Sequence, residues 1–450
     1  MIILAAIPVC LLLGLLLYQL PPIKSRISPR LRDLRARIQY ALNPPDEAIF
    51  VPVAAAGTPQ GGAPTPSPSD PPPTLTETLP PEEDTPTPEP SLTPTITPTL
   101  LPESVILDGV IYVDQHGRWN YCGPANLTMA LKYWGWPGNR DDVARVVKPG
   151  VQDPTLDFIQ QGFWDKNVMP YEMVDFVNNE TGYGVVLRYG GDLDLVRRLI
   201  AGGFPVLIEK GYYEADYTGK IAWLGHYLFT TGYNDATRQF TVQDAYLEPG
   251  RDRKVDYDTY MEGWRSFDYL FMVIYPPERE VEVYELLGPY SDEVWALETA
   301  LETAKLEAQE LSGNDAFFAW FNQGTSLVQL DRINRALEAA SAYDQAFALY
   351  AQLGDDDTQR PYRIMWYQTG PYIAYFYAGR YQDVINLANN TLYETISEPT
   401  LEESLYWRGM AYYYGTGEIN AAIADFRETV RLNPNFGPGW YMLEQAGVGP

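Results

Sequence analysis

The pattern of apolar and polar positions divides the chain of 450 residues into successive regions. Residues 1–20 are almost entirely apolar and about long enough to cross a bilayer, which predicts a transmembrane anchor. Residues 21–57 carry a cluster of Lys and Arg, and residues 58–102 are rich in Pro and Thr, which indicates an extended linker without a core. Residues 103–280 mix helical and strand periods, and residues 281–450 keep the helical period to the end.

The middle region shows the pattern of an α+β domain. Apolar residues at helical spacing predict helices over residues 125–134, 141–147, 155–163 and 193–201. Runs of β-branched and aromatic residues predict strands over residues 104–113, 184–189, 204–209, 226–233, 239–242 and 269–274. Because most of the helices precede most of the strands, this order favours an α+β fold over an alternating βαβ sheet.

The last region predicts pairs of packed helices. Small residues recur where two helices of a pair approach each other, at Gly324 and Ala336 in one pair and at Gly409 and Ala422 in another. With this spacing, the region from about 290 to 445 resembles a degenerate tetratricopeptide (TPR) array. The resemblance implies an all-α repeat domain with a concave face for a peptide or protein partner. Alternatively, the helices form a support that binds nothing.

Composition narrows the classes of function. The net charge of −27 argues against nucleic-acid binding, because phosphate contacts need surfaces of Lys and Arg. The two cysteines are Cys10, inside the apolar anchor, and Cys122, which argues against a disulfide framework. The two histidines, His116 and His226, are too few for a His/Cys zinc site. No metal or organic cofactor is therefore expected.

Cys122 lies directly before a predicted amphipathic helix. Pro124 suits the first helical position, because its missing N–H would be unpaired there anyway. The positive end of the helix dipole favours a thiolate over a thiol, and the thiolate is the nucleophilic form. The sequence therefore predicts Cys122 as a nucleophile. Alternatively, it is a small, inert and half-buried residue.

A predicted hairpin brings a histidine and a carboxylate together. His226 opens one strand, the turn signal Asn234-Asp235 follows, and the returning strand ends at Asp244. If the hairpin is symmetric about Asp235, His226 faces Asp244, and the carboxylate can orient the imidazole and stabilise its charged form. Alternatively, His226 lies at the edge of the core and Asp244 only caps its strand. Asn234 is the reserve candidate for the orienting group.

Two further side chains near the thiol are candidates. Gln115 precedes Cys122 by seven residues. Its amide can donate a hydrogen bond to a developing oxyanion, together with the backbone N–H of Cys122. On spacing alone, Gln115 is equally well explained as a solvated loop residue. His116 is a weaker rival to His226 as the general base, because only Asp114 lies near it to orient the ring.

These residues carry a resemblance to a known family. Gln115, the Cys122–Ala125 motif before a helix, Gly225–Tyr227 at the start of a strand and Asp244 after the next strand are similar to the papain-like cysteine peptidases related to the bacteriocin (double-glycine) leader peptidases. The resemblance covers about residues 103–280 and implies the fold and thiol-dependent hydrolysis of peptide bonds. It does not imply cleavage of double-glycine leaders, since the sequence shows no counterpart of the transporter and nucleotide-binding domains of those enzymes.

The whole sequence predicts a membrane-anchored, single-pass thiol peptidase with an extracytoplasmic body and a C-terminal TPR-like domain that binds a partner or the substrate. The long linker favours this orientation, whereas the basic residues after the anchor favour a cytoplasmic body. Two alternatives belong to other classes of protein. One is a non-catalytic scaffold that works through its repeats, and the other is an amidase or transpeptidase that acts on cell-wall peptides.

Overall fold

The computed structural model describes residues 50–52, 101–118, 120–150, 155, 161, 167–215, 221–353, 360–395 and 401–449. The predicted transmembrane anchor, most of the basic segment and of the Pro/Thr-rich linker, and nearly all of the helix predicted over residues 155–163 lie outside the described residues. None of the helices in the described ranges combines the length and the apolar character that a bilayer crossing requires.

The first folded region contains a sheet of seven strands with helices on both faces. Its strands are β1 (Ser104–Ile106), β2 (Gly184–Arg188), β3 (Val206–Ala215), β4 (Ile221–Asn234), β5 (Gln239–Gln243), β6 (Arg253–Asp256) and β7 (Phe271–Tyr275). Its helices are α1 (Cys122–Tyr133), α2 (Arg140–Val147), α3 (Pro170–Glu180), α4 (Leu193–Ala201) and α5 (Tyr257–Arg265). The predicted bounds of α4 agree with the structure, whereas β1 is much shorter than predicted.

Every strand pairing in this sheet is antiparallel. The strand order is β2-β7-β3-β4-β5-β6, and β1 pairs with the far end of β4. Side chains alternate along each strand, so Leu207 and Phe229 join a core with α1 and α3, while Ile208 and Leu228 join a second core with α4 and α5. This arrangement of separate helices around an antiparallel sheet is the predicted α+β class.

The β4–β5 hairpin is offset from the symmetric register that the sequence predicted. Asn234 pairs with Gln239, so the turn lies further along the chain than Asp235. A bulge in β4 then shifts the register by one residue, and beyond it the pairing is displaced by two residues from the predicted one. An even displacement keeps Asp244 on the face of His226, which explains why the predicted pair survives a wrong register.

The rest of the described chain is helical. It contains α6 (Glu280–Leu287), α7 (Glu293–Glu310), α8 (Gly313–Asp331), α9 (Ala336–Tyr350), α10 (Gly370–Tyr377), α11 (Tyr381–Asn389), α12 (Glu402–Ala411), α13 (Ile419–Leu432) and α14 (Gly437–Gln445). Two of the predicted small residues separate paired helices: a Cβ atom at Gly324 would lie 2.5 Å from the Tyr343 ring, and one at Gly409 would lie 2.7 Å from the Phe426 ring. The helical character is thereby confirmed, and the TPR assignment stays a prediction.

The helices from α7 to α14, called the helical array below, pack directly on the sheet. Trp223 of β4 stacks with Phe267 at a ring separation of 5.7 Å and meets the Tyr367 ring edge-on at 5.6 Å. Ser326 of α8 donates a hydrogen bond of 2.6 Å to the buried Asp268. These contacts hold the helical array against the strand that carries His226.

A segment far upstream also contacts the helical array. The Phe50 ring is buried against α9 and α10, with its centroid 5.0 Å from that of Phe347 and 6.0 Å from that of Tyr375. Burying a Phe side chain contributes on the order of 2 kcal/mol. The chain therefore touches this body before the linker begins as well as after it ends.

Candidate active site

Cys122 is the first residue of α1, so its thiol lies in the first turn of the helix rather than before it. No side chain caps this helix at Tyr121, and Cys122 is half-buried. One turn on, Asn126 donates from Nδ2 to the Cys122 carbonyl at 2.9 Å and to the Tyr227 carbonyl at 3.0 Å. Both bonds fasten the N-terminus of α1 to β4, beside the predicted general base.

His226 lies on β4 where the strand has no partner on its β5 side, because β5 pairs with β4 only as far as Phe229. At this free edge the Tyr227 carbonyl accepts the hydrogen bond from Asn126 of α1. The Nε2 atom of His226 is 2.9 Å from Oδ1 of Asp244, and both side chains are buried. A side-chain hydrogen bond also joins His226 to Cys122. Since Nε2 is held by Asp244, the nitrogen left for the thiol is Nδ1.

Asp244 is fixed in place by the turn that follows β5. Its Oδ1 accepts hydrogen bonds from the backbone N–H groups of Tyr246 at 2.9 Å and Leu247 at 3.0 Å. Its backbone N–H donates to the Gly250 carbonyl at 2.9 Å. Although burial opposes ionisation, His226 and these backbone donors hold the pKa of Asp244 well below its usual range. Asp244 is therefore a permanent anion that orients the imidazole.

The electrostatics of the pair favour a thiolate and an imidazolium. Burial alone would raise the pKa of the Cys122 thiol, but the hydrogen bond and charge of His226, with backbone hydrogen bonds from Tyr227 and Gly123, lower it below its usual value. Burial would lower the pKa of His226, but the charge and hydrogen bond of Asp244 and the bond to Cys122 raise it to about 9. Both shifts favour a nucleophilic thiolate beside an imidazolium that can donate a proton.

The other predicted side chains lie in different places. The backbone N–H of Gln115 donates to the Ala245 carbonyl at 2.8 Å, which places Gln115 beside the turn after β5. Its Oε1 is buried and has no hydrogen-bond partner among the described residues. His116 lies in an exposed loop, 3.5 Å from Asp114 and 3.6 Å from Glu248, and Asn234 only caps its own turn. His226 and Asp244 are therefore the pair that the fold brings to Cys122.

The sequence analysis missed two residues that lie next to this pair. Glu209 of β3 pairs with Tyr227 across the sheet, and Tyr367 lies against β4, where a Cβ atom at Gly225 would come within 2.6 Å of its ring. Burial raises the pKa of both side chains, and the charge of the Cys122 thiolate raises it further. A charged residue at the end of the apolar run of β3 was the only signal for Glu209.

A cavity of about 540 Å³ opens beside Glu209 and Tyr367, between the sheet and the helical array. Its walls come from the start of α3, from β2 and β3, and from α8, α10 and α12. Such a volume is typical of ligand sites in proteins. Among the described residues, no group of three or more His, Cys, Asp or Glu side chains is arranged to hold a metal ion.

One prediction tests the orienting role of Asp244. Replacing Asp244→Asn removes the charge that raises the pKa of His226, so kcat/KM for any substrate is expected to fall about a hundredfold or more. In the native chain, activity should rise as Cys122 ionises and fall again near pH 9, as His226 loses its proton. In Asp244→Asn, the alkaline fall in activity should occur at a lower pH than in the native chain.

The measurement is kcat/KM against pH for both proteins. The matched control is Asp258→Asn, because Asp258 is a highly exposed carboxylate whose ion pair is with the exposed Arg238. An unchanged alkaline limb in Asp244→Asn would show that Asp244 does not set the ionisation of His226.

Comparison with known proteins agrees with this geometry. Residues 107–271 match the Peptidase_C39 like family, a range that contains Cys122, His226 and Asp244. The match confirms the predicted class of enzyme, a cysteine peptidase with a papain-like domain. No protein with a curated description matches the chain.

Two solved structures are similar to part of the chain. One is a candidate C39-like peptidase from Bacillus anthracis, with 15% identity and a TM-score of 0.28, which covers 38% of this chain and 96% of its own. The other is Xylellain, a cysteine protease from Xylella fastidiosa, with 18% identity and a TM-score of 0.26, which covers 39% of this chain and 87% of its own.

Proposed function

We propose that the chain hydrolyses peptide bonds with Cys122 as the nucleophile, His226 as the general base and acid, and Asp244 as the group that orients His226. The observation that carries this proposal is the 2.9 Å contact from Nε2 of His226 to Asp244, made while the same ring is hydrogen-bonded to Cys122. Thiol and serine hydrolases share this arrangement, in which the base contacts the nucleophile on one side and an orienting carboxylate on the other.

The proposed reaction is an acyl transfer in two steps. Nδ1 of His226 takes the proton from Sγ of Cys122, and the thiolate attacks the carbonyl carbon of the substrate. The C–N bond then breaks, His226 gives its proton to the leaving amine, and the acyl group stays on Sγ as a thioester. In the second step, His226 takes a proton from water, and the hydroxide attacks the thioester. A free carboxylic acid leaves, and Cys122 is restored.

The oxyanion of each step needs hydrogen-bond donors. The backbone N–H of Cys122 lies in the uncapped first turn of α1, where N–H groups have no partner within the helix. We propose that this group and the side-chain amide of Gln115 hold the oxyanion. If the buried Oε1 of Gln115 faces away from the thiol, its Nε2 is the atom left to donate.

The N-terminal anchor and the role of the helical array belong to the same proposal. We propose that the apolar residues 1–20 tether the enzyme to a membrane, with its body on the extracytoplasmic side. We further propose that the helical array binds the substrate or a protein partner. The support for this is its position, because it forms one wall of the cavity in which Glu209 and Tyr367 lie against the two neighbours of His226 in β4.

The test is to digest a mixture of peptides with the purified chain in water enriched in ¹⁸O. Hydrolysis puts one ¹⁸O atom into each new C-terminal carboxylate, which mass spectrometry detects. A transpeptidase would instead give new amides without the label. Products that lack ¹⁸O, or products that also form with Cys122→Ala, would rule out the proposed thiol peptidase.

A further inference from the structure

Glu209 is a buried carboxylate one strand away from His226. It lies on β3 opposite Tyr227, the residue after His226, and only 1% of it is exposed. Glu209 lines the cavity together with Tyr367, whose ring lies against Gly225, the residue before His226. The cavity therefore reaches β4 at both neighbours of His226 in the chain.

No positively charged side chain in the described part of the chain forms an ion pair with Glu209. Its recorded side-chain partner is the hydroxyl of Tyr227, and it forms no ion pair there with Lys or Arg. Of the other two carboxylates of the cavity, Glu403 accepts a hydrogen bond of 3.0 Å from Tyr171, and Glu293 lies 3.9 Å from Arg188.

Burying the charged form of this carboxylate without a cation beside it is unfavourable in free energy. Burial and the nearby Cys122 thiolate raise the pKa of Glu209 well above its usual range, so the empty site disfavours its charged form. A buried charge becomes favourable when an opposite charge enters with good hydrogen bonds. An ammonium or guanidinium group in this corner of the cavity would supply that charge.

The rest of the cavity suits the backbone and apolar side chains of a peptide. Aromatic side chains form much of the wall, with Tyr377, Tyr406 and Trp407 coming from the helical array. The cavity carries the carboxylates of Glu209, Glu293 and Glu403 against one guanidinium, which disfavours an acidic ligand. Aromatic walls beside an acidic corner fit a chain that is both apolar and basic.

We propose that Glu209 is a specificity-determining residue that selects peptides with Lys or Arg next to the cleaved bond, and that the helical array forms the wall along which the rest of the peptide lies. This inference depends on the proposed function, since it names the substrate of the same site. It assigns the helical array a direct part in substrate selection.

The test uses peptidyl acyloxymethyl ketones, which label the thiol without turnover. Sγ of Cys122 attacks the methylene carbon, a thioether forms, and the carboxylate leaving group departs with the electron pair of the broken C–O bond. Two reagents are compared that differ only in the side chain next to the ketone, which is Lys in one and norleucine in the other. The rate of labelling is followed by mass spectrometry on the full chain.

We expect the native chain to react about 10- to 100-fold faster with the Lys reagent, as is typical of a hydrogen bond between charged groups. In Glu209→Gln, the ratio of the two rates should fall to about one. Glu209→Asp keeps a carboxylate and should keep a reduced preference. The control is Glu262→Gln, which removes one charge from an exposed position of α5 outside the cavity and should keep the native ratio.

The outcomes separate this inference from the proposed function. If both reagents label Cys122 equally fast in the native chain, or if Glu209→Gln keeps the preference, the role of Glu209 is overturned while the peptidase stands. If iodoacetamide modifies Cys122 but no peptidyl reagent does, peptides do not reach the thiol, and both proposals are overturned.

Discussion

Replacing Cys122 by alanine is expected to lower kcat/KM for peptide hydrolysis by a factor of about 10⁴ or more. Alanine keeps the helix N-terminus but removes the atom that forms the acyl-enzyme, and no other thiol lies in the described residues. The measurement is hydrolysis of the peptides found with the native chain, under identical conditions. Cys122→Ser should also be nearly inactive, because the pKa of a hydroxyl is far above that of the imidazole beside it.

The matched control for this loss is Cys10→Ser. Cys10 is the other cysteine of the chain and lies in the predicted anchor, so its replacement should leave the rate of hydrolysis unchanged. If Cys122→Ala retained a tenth or more of the native activity, the nucleophile would have to be another group, and the assignment of Cys122 would be wrong.

Replacing His226 by alanine is expected to change both the activity and the ionisation of Cys122. The charge and hydrogen bond of His226 are the main causes that lower the pKa of the thiol, whereas burial raises it. Without them, the pKa of Cys122 should rise, because burial of the thiol is then less strongly opposed. The rate of hydrolysis should fall about a thousandfold or more, because no general acid remains to protonate the leaving amine.

The ionisation is measured as the rate of iodoacetamide modification against pH. Peptide-level mass spectrometry distinguishes Cys122 from Cys10. The matched control is His116→Ala, which removes the other histidine of the chain, an exposed residue in contact with Asp114 and Glu248. If the thiol titrates alike in the native chain and in His226→Ala, no thiolate–imidazolium pair exists. The scaffold without catalysis would then become the better interpretation.

The sequence limits the choice of a candidate thiol and a candidate imidazole because the chain contains so few of each. Two cysteines and two histidines leave one plausible thiol–imidazole pair. The pairing with Asp244 was predicted from a symmetric hairpin, and the register was wrong by two residues because of a later turn and a bulge. Asp244 stays on the face of His226 because the displacement is an even number of residues. An odd displacement would have moved it to the opposite face.

Other features could not be predicted from local pattern. β6 is a short edge strand with charged residues, so it shows no apolar alternation, and α5 follows it directly. Tyr367 reaches β4 from a part of the chain more than a hundred residues away, and only tertiary packing brings it to the site. The cavity could not be predicted either. Its walls come from residues 103–280 and 281–450, which the sequence analysis assigned to separate domains.

The contact of Phe50 changes what the Pro/Thr-rich linker does. Phe50 lies on the helical array and β1 lies on the sheet, so the chain enters and leaves the linker region on one and the same body. The contour length of a loop does not set the distance to a membrane; only the residues before Phe50 can do that. Because the entropy of closing a loop grows with the logarithm of its length, doubling this one would cost only about 0.6 kcal/mol. Insertions and deletions there should therefore be tolerated by the folded body.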